Sequence, residues 1–203
     1  MGVYQNRVLP WLINRGMRNR VMSGYRPRTP ARAAGRVLEI GVGAGLNLPV
    51  YTPAVTHLFA LDPSDSLRDQ AATMAAAMPF PVSLLGGGAE AIPLESASVD
   101  TVVSTWTLCS IPDLAAGLAE ARRVLKPAGR LLFLEHGRSP DPAIAERQDR
   151  LAPVLRLVAG CNPNRSIDAA IEAAGFRFTS IERTYIEGPR FLAYHFIGEA
   201  CPD

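Results

Sequence analysis

The chain of 203 residues has a single lysine, Lys126, and no aspartate or glutamate before Glu39. Arg7, Arg15, Arg18, Arg20, Arg26, Arg28, Arg32 and Arg36 fill that acid-free stretch. The net charge is nonetheless only +2, which gives no case for a nucleic-acid partner. Cysteine is scarce: Cys109, Cys161 and Cys201 are odd in number, widely spaced and without a CxxC pair. That spacing argues against a disulfide framework, predicts no metal site, and favours a reducing compartment. No long uncharged apolar run opens the chain, so neither a signal peptide nor a spanning helix is predicted and the expected location is cytoplasmic. Repeats and low-complexity segments are also missing. What is present, nearly half hydrophobic residues, suits one α/β domain with a sizeable core.

From Arg36 onward, strand and helix signals alternate, the pattern of a parallel sheet with crossover helices. Strands are predicted over about 36–40, 57–61, 82–85, 99–104 and 130–135, with a closing pair over 177–185 and 191–198. Helices are predicted over 64–77 and 112–125, the latter stopped by Lys126-Pro127-Ala128-Gly129. A further helical stretch after Asp141-Pro142 is expected to break at Pro153. Ser166 is a candidate cap for a helix over 167–174, which Gly175 would end. Residues 1–35 read as a helical lid or connector, and 36–203 as the domain. For the apolar and arginine-rich residues 3–22, a lid ranks first, a helix packed on the core second and transient contact with an anionic membrane surface third.

The organising stretch is Val37-Leu38-Glu39-Ile40-Gly41-Val42-Gly43-Ala44-Gly45-Leu46. A strand runs into three alternate glycines, and Leu46 is expected to open a helix. Such a turn lets a ligand lie against bare main chain. Asp62 ends the second strand about twenty residues past the first glycine, where an acid accepts bonds from a ribose diol in nucleotide-binding folds. This combination resembles the class I S-adenosylmethionine (SAM) methyltransferases, in which the acid at position 39 would lie near the methionine amino group and SAM would be the cofactor. The resemblance implies a Rossmann-like seven-stranded, mostly parallel sheet of order 3-2-1-4-5-7-6, with the last strand antiparallel and helices on both faces.

Gly87-Gly88-Ala89-Glu90-Ala91-Ile92-Pro93-Leu94 is similar to that family's adenine-wrapping segment, except that Gly88 replaces the usual acid. Adenine recognition is then expected from main chain around Ala89 and from Glu90. The resemblance thus puts Glu39, Gly41, Gly43, Ala44, Gly45, Asp62, Pro63, Ala89, Glu90 and Thr105 on the cofactor. Strand 4 ends in Thr105-Trp106-Thr107-Leu108-Cys109-Ser110, whose Trp106 and Cys109 are candidate acceptor contacts or plain packing. Strand 5 delivers Glu135-His136 to the same edge, and His136 is the candidate general base because imidazole titrates near neutral pH. Glu135 could orient it or simply cap a neighbouring element. His57 and His195 read as structural residues away from that edge. Arg165 either holds an anionic group of the acceptor or braces its loop.

Thr107–Ser110, Leu134-Glu135-His136, Gly160–Arg165 and Gly188-Pro189 further resemble the methyltransferase-like thiol S-methyltransferases and bacterial relatives labelled phospholipid N-methyltransferases. That resemblance implies methyl transfer to a small-molecule acceptor, a lipophilic thiol being favoured. Phosphatidylethanolamine and quinone-type acceptors are the alternatives. A non-catalytic SAM-binding module and an oxidoreductase are the rivals from other classes, and no stable membrane anchor is expected.

Overall fold

Val37, Leu38 and Ile40 are buried on both faces of the first strand, β1 (Gly35–Ile40), which marks a central strand of a parallel sheet. A computed structural model describes residues 15–203. In it β1 pairs in parallel with β2 (Val55–Asp62) on one side and β4 (Val99–Thr105) on the other. β3 (Val82–Gly86) edges β2, and β5 (Leu125–His136) lies beyond β4. β7 (Tyr194–Pro202) inserts antiparallel between β5 and β6 (Phe176–Tyr185), completing the expected order β3-β2-β1-β4-β5-β7-β6.

Alternation along the strands divides the core in two. Leu38, Phe59, Val102 and Phe133 face α3 (Leu114–Val124) and α5 (Ile167–Ala173) through Leu118, Ala121, Ile167 and Ile171. Val37, Ala60, Val103 and Leu132 face the opposite side, with Ala71 of α2 (Asp65–Ala76), Leu48 and Tyr51. Ser64 caps α2 and Asp113 caps α3, each accepting a main-chain N–H. The caps fix where each helix leaves the carboxyl edge of the sheet.

Several local expectations are corrected. No α-helix starts at Leu46: residues 43–47 form turns and a single 3-10 turn follows at Leu48–Val50. Gly43 and Gly45 have φ of +54° and +78°, and Pro49 lacks the N–H that a propagating helix would need. Lys126–Gly129 does not separate helix from strand, since β5 starts directly at Leu125. Helix α4 (Pro142–Ala159) runs through Pro153 without a break. Pro153 is exposed, so water can take the carbonyl that the proline leaves free. Ser166 starts α5 without a side-chain cap bond, whereas Gly175, at φ +79°, ends it as expected.

Of the N-terminal stretch, residues 1–14 and any lid they form lie outside the described residues. Two arginines of the connector find acids distant in sequence. α1 (Arg20–Tyr25) leads into Arg28, which pairs with Glu182 on β6, and Arg32 pairs with Glu199 on β7 at 2.5 Å. These exposed pairs orient the connector more than they stabilise it. No helix among the described residues is long and apolar enough to cross a membrane.

The tightest point of the antiparallel half is Gly198, whose register partners are Phe133 and Ile181. A Cβ there would stand 2.3 Å from the Ser180 carbonyl oxygen and 2.7 Å from Phe133 Cζ. Gly198→Ala is expected to destabilise the fold by about 1–3 kcal/mol, read as a lowered urea midpoint at unchanged slope.

Candidate functional site

A cavity of about 320 Å³ opens at the carboxyl ends of β1, β2 and β4, where open α/β sheets hold their ligands. Its floor is the glycine turn. Gly41 takes φ +75°, and the N–H groups of Gly41 and Val42 both donate to the Leu61 carbonyl, at 2.8 and 3.0 Å. Nothing lies within 4 Å of where a Gly43 Cβ would be, so that face is bare main chain open to the cavity. Asp62 fastens the turn to β2: its Oδ2 accepts Gly43 N at 2.9 Å and its Oδ1 accepts Ser64 N at 2.8 Å. Burial raises the Asp62 pKa, and those two N–H bonds oppose the shift.

Glu39, 1% exposed, ends β1 at the cavity wall. Asn47 Nδ2 donates to its Oε1 at 2.7 Å and to Thr105 Oγ1 at 2.9 Å, and Tyr51 Oη donates to its Oε2 at 2.9 Å. Buried Arg26 donates to Asn47 Oδ1 at 2.7 Å, so the N-terminal connector is tied to the carboxylate through one amide. Burial lifts the Glu39 pKa from an ordinary 4.5 to about 7, against the Tyr51 and Asn47 bonds and the Arg26 charge.

On the opposite wall, Glu90 answers the missing acid at position 88. A Cβ on Gly88 would meet Glu90 Oε2 at 2.5 Å, so this carboxylate folds over the glycine and fills the place where an acid there would begin. Its Oε1 accepts Asp113 N at 3.2 Å. The third wall is the end of β4. Trp106 adopts φ +52°, a strained left-handed conformation for a bulky residue. Trp106 N donates to the Leu134 carbonyl at 2.8 Å, and the Arg26 guanidinium sits 5.1 Å from the ring centroid. Its Nε1 donates to His195 Nε2 at 2.9 Å. An indole N–H can only donate, so His195 Nε2 is the acceptor and Nδ1 carries the proton, directed at the Ala193 carbonyl 3.0 Å away. Burial lowers the His195 pKa to about 4, consistent with a neutral ring.

His195 therefore corrects the sequence expectation. Because β7 runs antiparallel, its first residues lie opposite the last of β5, in register with His136 at the functional edge. His57 does stand apart, stacked on Phe59 with Nε2 2.9 Å from Ser83 Oγ. Glu135 is fully buried and does not orient a histidine. It accepts Ser104 Oγ (2.7 Å), Thr107 N (3.0 Å) and Leu108 N (3.1 Å), shaping the loop after β4, and burial lifts its pKa to about 8.

Glu39, Gly41, Gly43, Ala44, Asp62, Pro63, Ala89, Glu90, Thr105 and Trp106 all line the cavity. Gly45 sits beneath it, packed against Leu48 and Ala71. Cys109, His136 and Arg165 gather one layer behind the wall instead. His136 Nε2 is 3.0 Å from Cys161 Sγ, and its buried Nδ1 has no partner. Burial opposes charging this ring, but the neighbouring Cys109 outweighs it and the pKa is raised. Hydrogen bonding from Cys161 holds the Cys109 pKa well below the usual thiol range. Arg165 braces its loop, donating to the Leu108 and Pro112 carbonyls. His136, the candidate general base, is outside the cavity lining and presents Nε2 to Cys161.

Sequence reasoning missed Arg26, Asn47, Tyr51 and His195. Asn47 lies two residues beyond Gly45, but nothing in eight similar arginines singles out Arg26. Cys161 and Cys109 are fifty-two positions apart, and only the fold brings them together.

A methyltransferase-domain family model matches residues 38–133. The chain is 31% identical over 158 residues to human thiol S-methyltransferase TMT1B, covering 74% of this chain and 64% of that protein. It is 32% identical over 141 residues to the demethylmenaquinone methyltransferase of Deinococcus radiodurans, covering 68% of this chain and 55% of that one. The chain thus spans about half to two thirds of the length of these curated relatives. Among solved structures, a SAM-dependent methyltransferase from Thermotoga maritima superposes with a TM-score of 0.69 at 20% identity, covering 99% of this chain and 100% of that one.

The buried Glu39 makes stability depend on pH. Its pKa of about 7 in the fold exceeds the ordinary 4.5, so the folded state binds the proton more tightly. The associated stabilisation is complete below about pH 4.5 and is lost as pH rises through about 7, a fall of about 3 kcal/mol. Urea titrations of the ligand-free protein across that window are expected to show the fall. Glu39→Gln should remove it and leave the part due to Glu135, which extends to about pH 8.

Proposed function

We propose that the chain is a class I SAM-dependent methyltransferase and that it transfers a methyl group from SAM to a small lipophilic thiol. SAM supplies an electrophilic methyl on a sulfonium; the residues around the cavity bind, orient and exclude water. The observation that carries the cofactor side is three carboxylates on separate walls of one cavity floored by bare glycine main chain. Glu39 takes the ammonium of the methionine moiety, because it is ionisable near neutral pH and held by Asn47 and Tyr51. Asp62 takes the ribose hydroxyls with the lone pairs left by Gly43 and Ser64. Glu90 and the main chain at Ala89 take the adenine edge, in place of the acid that Gly88 lacks.

The acceptor reading rests on the remaining wall. Met17, Leu46, Trp106, Ile111 and Pro112 are apolar or aromatic, beside the hydroxyls of Thr107 and Ser110 and the Arg26 guanidinium that lies over the Trp106 ring. Such a lining favours a diffuse nucleophile that loses little hydration, and a thiolate meets that need better than an amine or a phosphate-bearing headgroup. The resemblance to the human thiol S-methyltransferase supports the same choice. Orientation in a dry cavity can lower a bimolecular barrier by roughly 7–11 kcal/mol in well-aligned cases. A thiol acceptor loses its proton to solvent, so turnover should rise with pH towards a free thiol value of about 8.5.

Asp62→Ala is expected to weaken SAM binding roughly 10–150-fold by calorimetry, the range for a lost bond to a charged group. Trp106→Ala should raise the acceptor KM by roughly 10-fold or more while SAM affinity changes little. A panel of an alkyl thiol, phosphatidylethanolamine vesicles and a demethylated quinol, read as S-adenosylhomocysteine formed, tests the acceptor. Turnover confined to the lipid or the quinol would replace the thiol reading and leave the cofactor assignment standing.

A further inference from the structure

Cys109 stands on the loop after β4, His136 is the last residue of β5, and Cys161 lies on the loop between α4 and α5. Yet the two sulfurs and a ring nitrogen of His136 all lie within 4.8 Å of one another. We propose that Cys109, His136 and Cys161 form a binding site for a soft, thiophilic metal ion, with Zn²⁺ as the reference ligand. Two thiolates and an imidazole are the donor set of zinc and its softer neighbours, and they disfavour magnesium and calcium.

The geometry is close to what coordination requires. Zinc bonds of about 2.3 Å to sulfur and 2.0 Å to nitrogen put tetrahedral neighbours roughly 3.5–3.8 Å apart. His136 Nε2 and Cys161 Sγ already stand 3.0 Å apart, so side-chain shifts of about 1 Å close the tripod. The main chain under each donor is fixed independently of any ion. Asn162 donates through N (3.0 Å) and Nδ2 (2.9 Å) to the Cys109 carbonyl, and Arg165 donates to the carbonyl of Leu108. Glu135, next to His136, accepts the N–H groups of Thr107 and Leu108. The His136 ring presents Nε2 to Cys161 and packs on its other side against the His195 ring, centroids 6.1 Å apart.

Binding forms two metal–sulfur bonds and one metal–nitrogen bond and displaces two protons, one shared by the Cys109–His136 pair and one held as S–H by Cys161. Both protons leave to solvent and nothing is oxidised. The ion pins the β4 loop to the 160–165 loop directly behind the wall made by Trp106, Thr107, Ser110 and Ile111, with a fourth coordination position left over. This assignment does not depend on which acceptor the cavity takes.

The test uses the full chain, stripped with a chelator and kept fully reduced, then equilibrated with Zn²⁺, desalted and assayed for metal by mass spectrometry. Titration with Co²⁺ follows thiolate-to-metal charge-transfer absorption in parallel. A single tightly held equivalent is expected. Cys161→Ala, at a half-buried position, should weaken it at least about 100-fold and remove most of the charge-transfer band. Cys201→Ala, altered on β7 where Arg177 donates to the sulfur, should bind like the parent. No retained metal with free thiols would overturn the proposal. So would retention undiminished in Cys161→Ala, or a Cys109–Cys161 disulfide whose reduction restores no metal uptake.

Discussion

Two carboxylates buried near the ends of β1 and β5, the strands on either side of β4, constrain everything around the cavity. Glu39 and Glu135, at 1% and 0% exposure, cannot sit in the sheet without donors. Each therefore gathers loop groups that would otherwise be free. Glu39 draws Asn47 and Tyr51 inward from the β1–β2 connection, and through Asn47 it holds Arg26 and Thr105. Glu135 draws in Ser104, Thr107 and Leu108 and so sets the course of the loop after β4. Burying a group with a pKa raised to about 7 or 8 costs stability at neutral pH, and the return is loop geometry at the site.

The two halves of the cavity are built differently. On the Asp62 side the groups are main-chain N–H and carboxylates, with distances set by the β1 turn and the capped start of α2. On the Trp106 side a strained residue is held by a hydrogen bond at each end. Its N–H is fixed to Leu134, its indole to His195, and Arg26 lies over its face. A left-handed tryptophan persists only where its surroundings over-determine it. The antiparallel insertion of β7 makes this possible, because it brings His195 back to the edge that a parallel strand would have carried it away from.

What could be read from sequence follows from how local each signal is. Val37–Gly45 announces a strand and a bare turn within nine residues, and Asp62 falls at the end of the next strand, so that wall was legible. The order of the seven strands came through resemblance, not periodicity. Leu46 was misread because apolar spacing after a glycine turn cannot reveal that Gly43, Gly45 and Pro49 jointly forbid a helix. Pro153 was misread because whether a proline ends a helix depends on exposure of the freed carbonyl, a tertiary property. His195 was misplaced because strand direction decides which end of β7 meets the site. Arg26 had no signal at all: its partner Asn47 is an amide, so charge pairing could not suggest it.

The acceptor wall is separable from the cofactor wall, and this bears on how the chemistry could diversify. Trp106, Thr107, Ser110 and Ile111 lie on one loop, which Asn162 and Arg165 tie to a second loop through the carbonyls of Cys109, Leu108 and Pro112. That second loop is in turn held by Gln148 of α4, fully buried, whose amide donates to the carbonyls of Gly137, Pro163 and Phe191. None of these ties passes through Gly43, Asp62 or Glu90. Substitutions along the tie can therefore reshape the loop side of the acceptor wall without touching Gly43 or Asp62, whereas Glu90 adjoins the loop through Asp113 N and Glu39 is linked to Trp106 through Asn47 and Arg26. Glu135 is the exception, since it sits beneath the loop and beside β4 at once, and changes there would be felt on both sides.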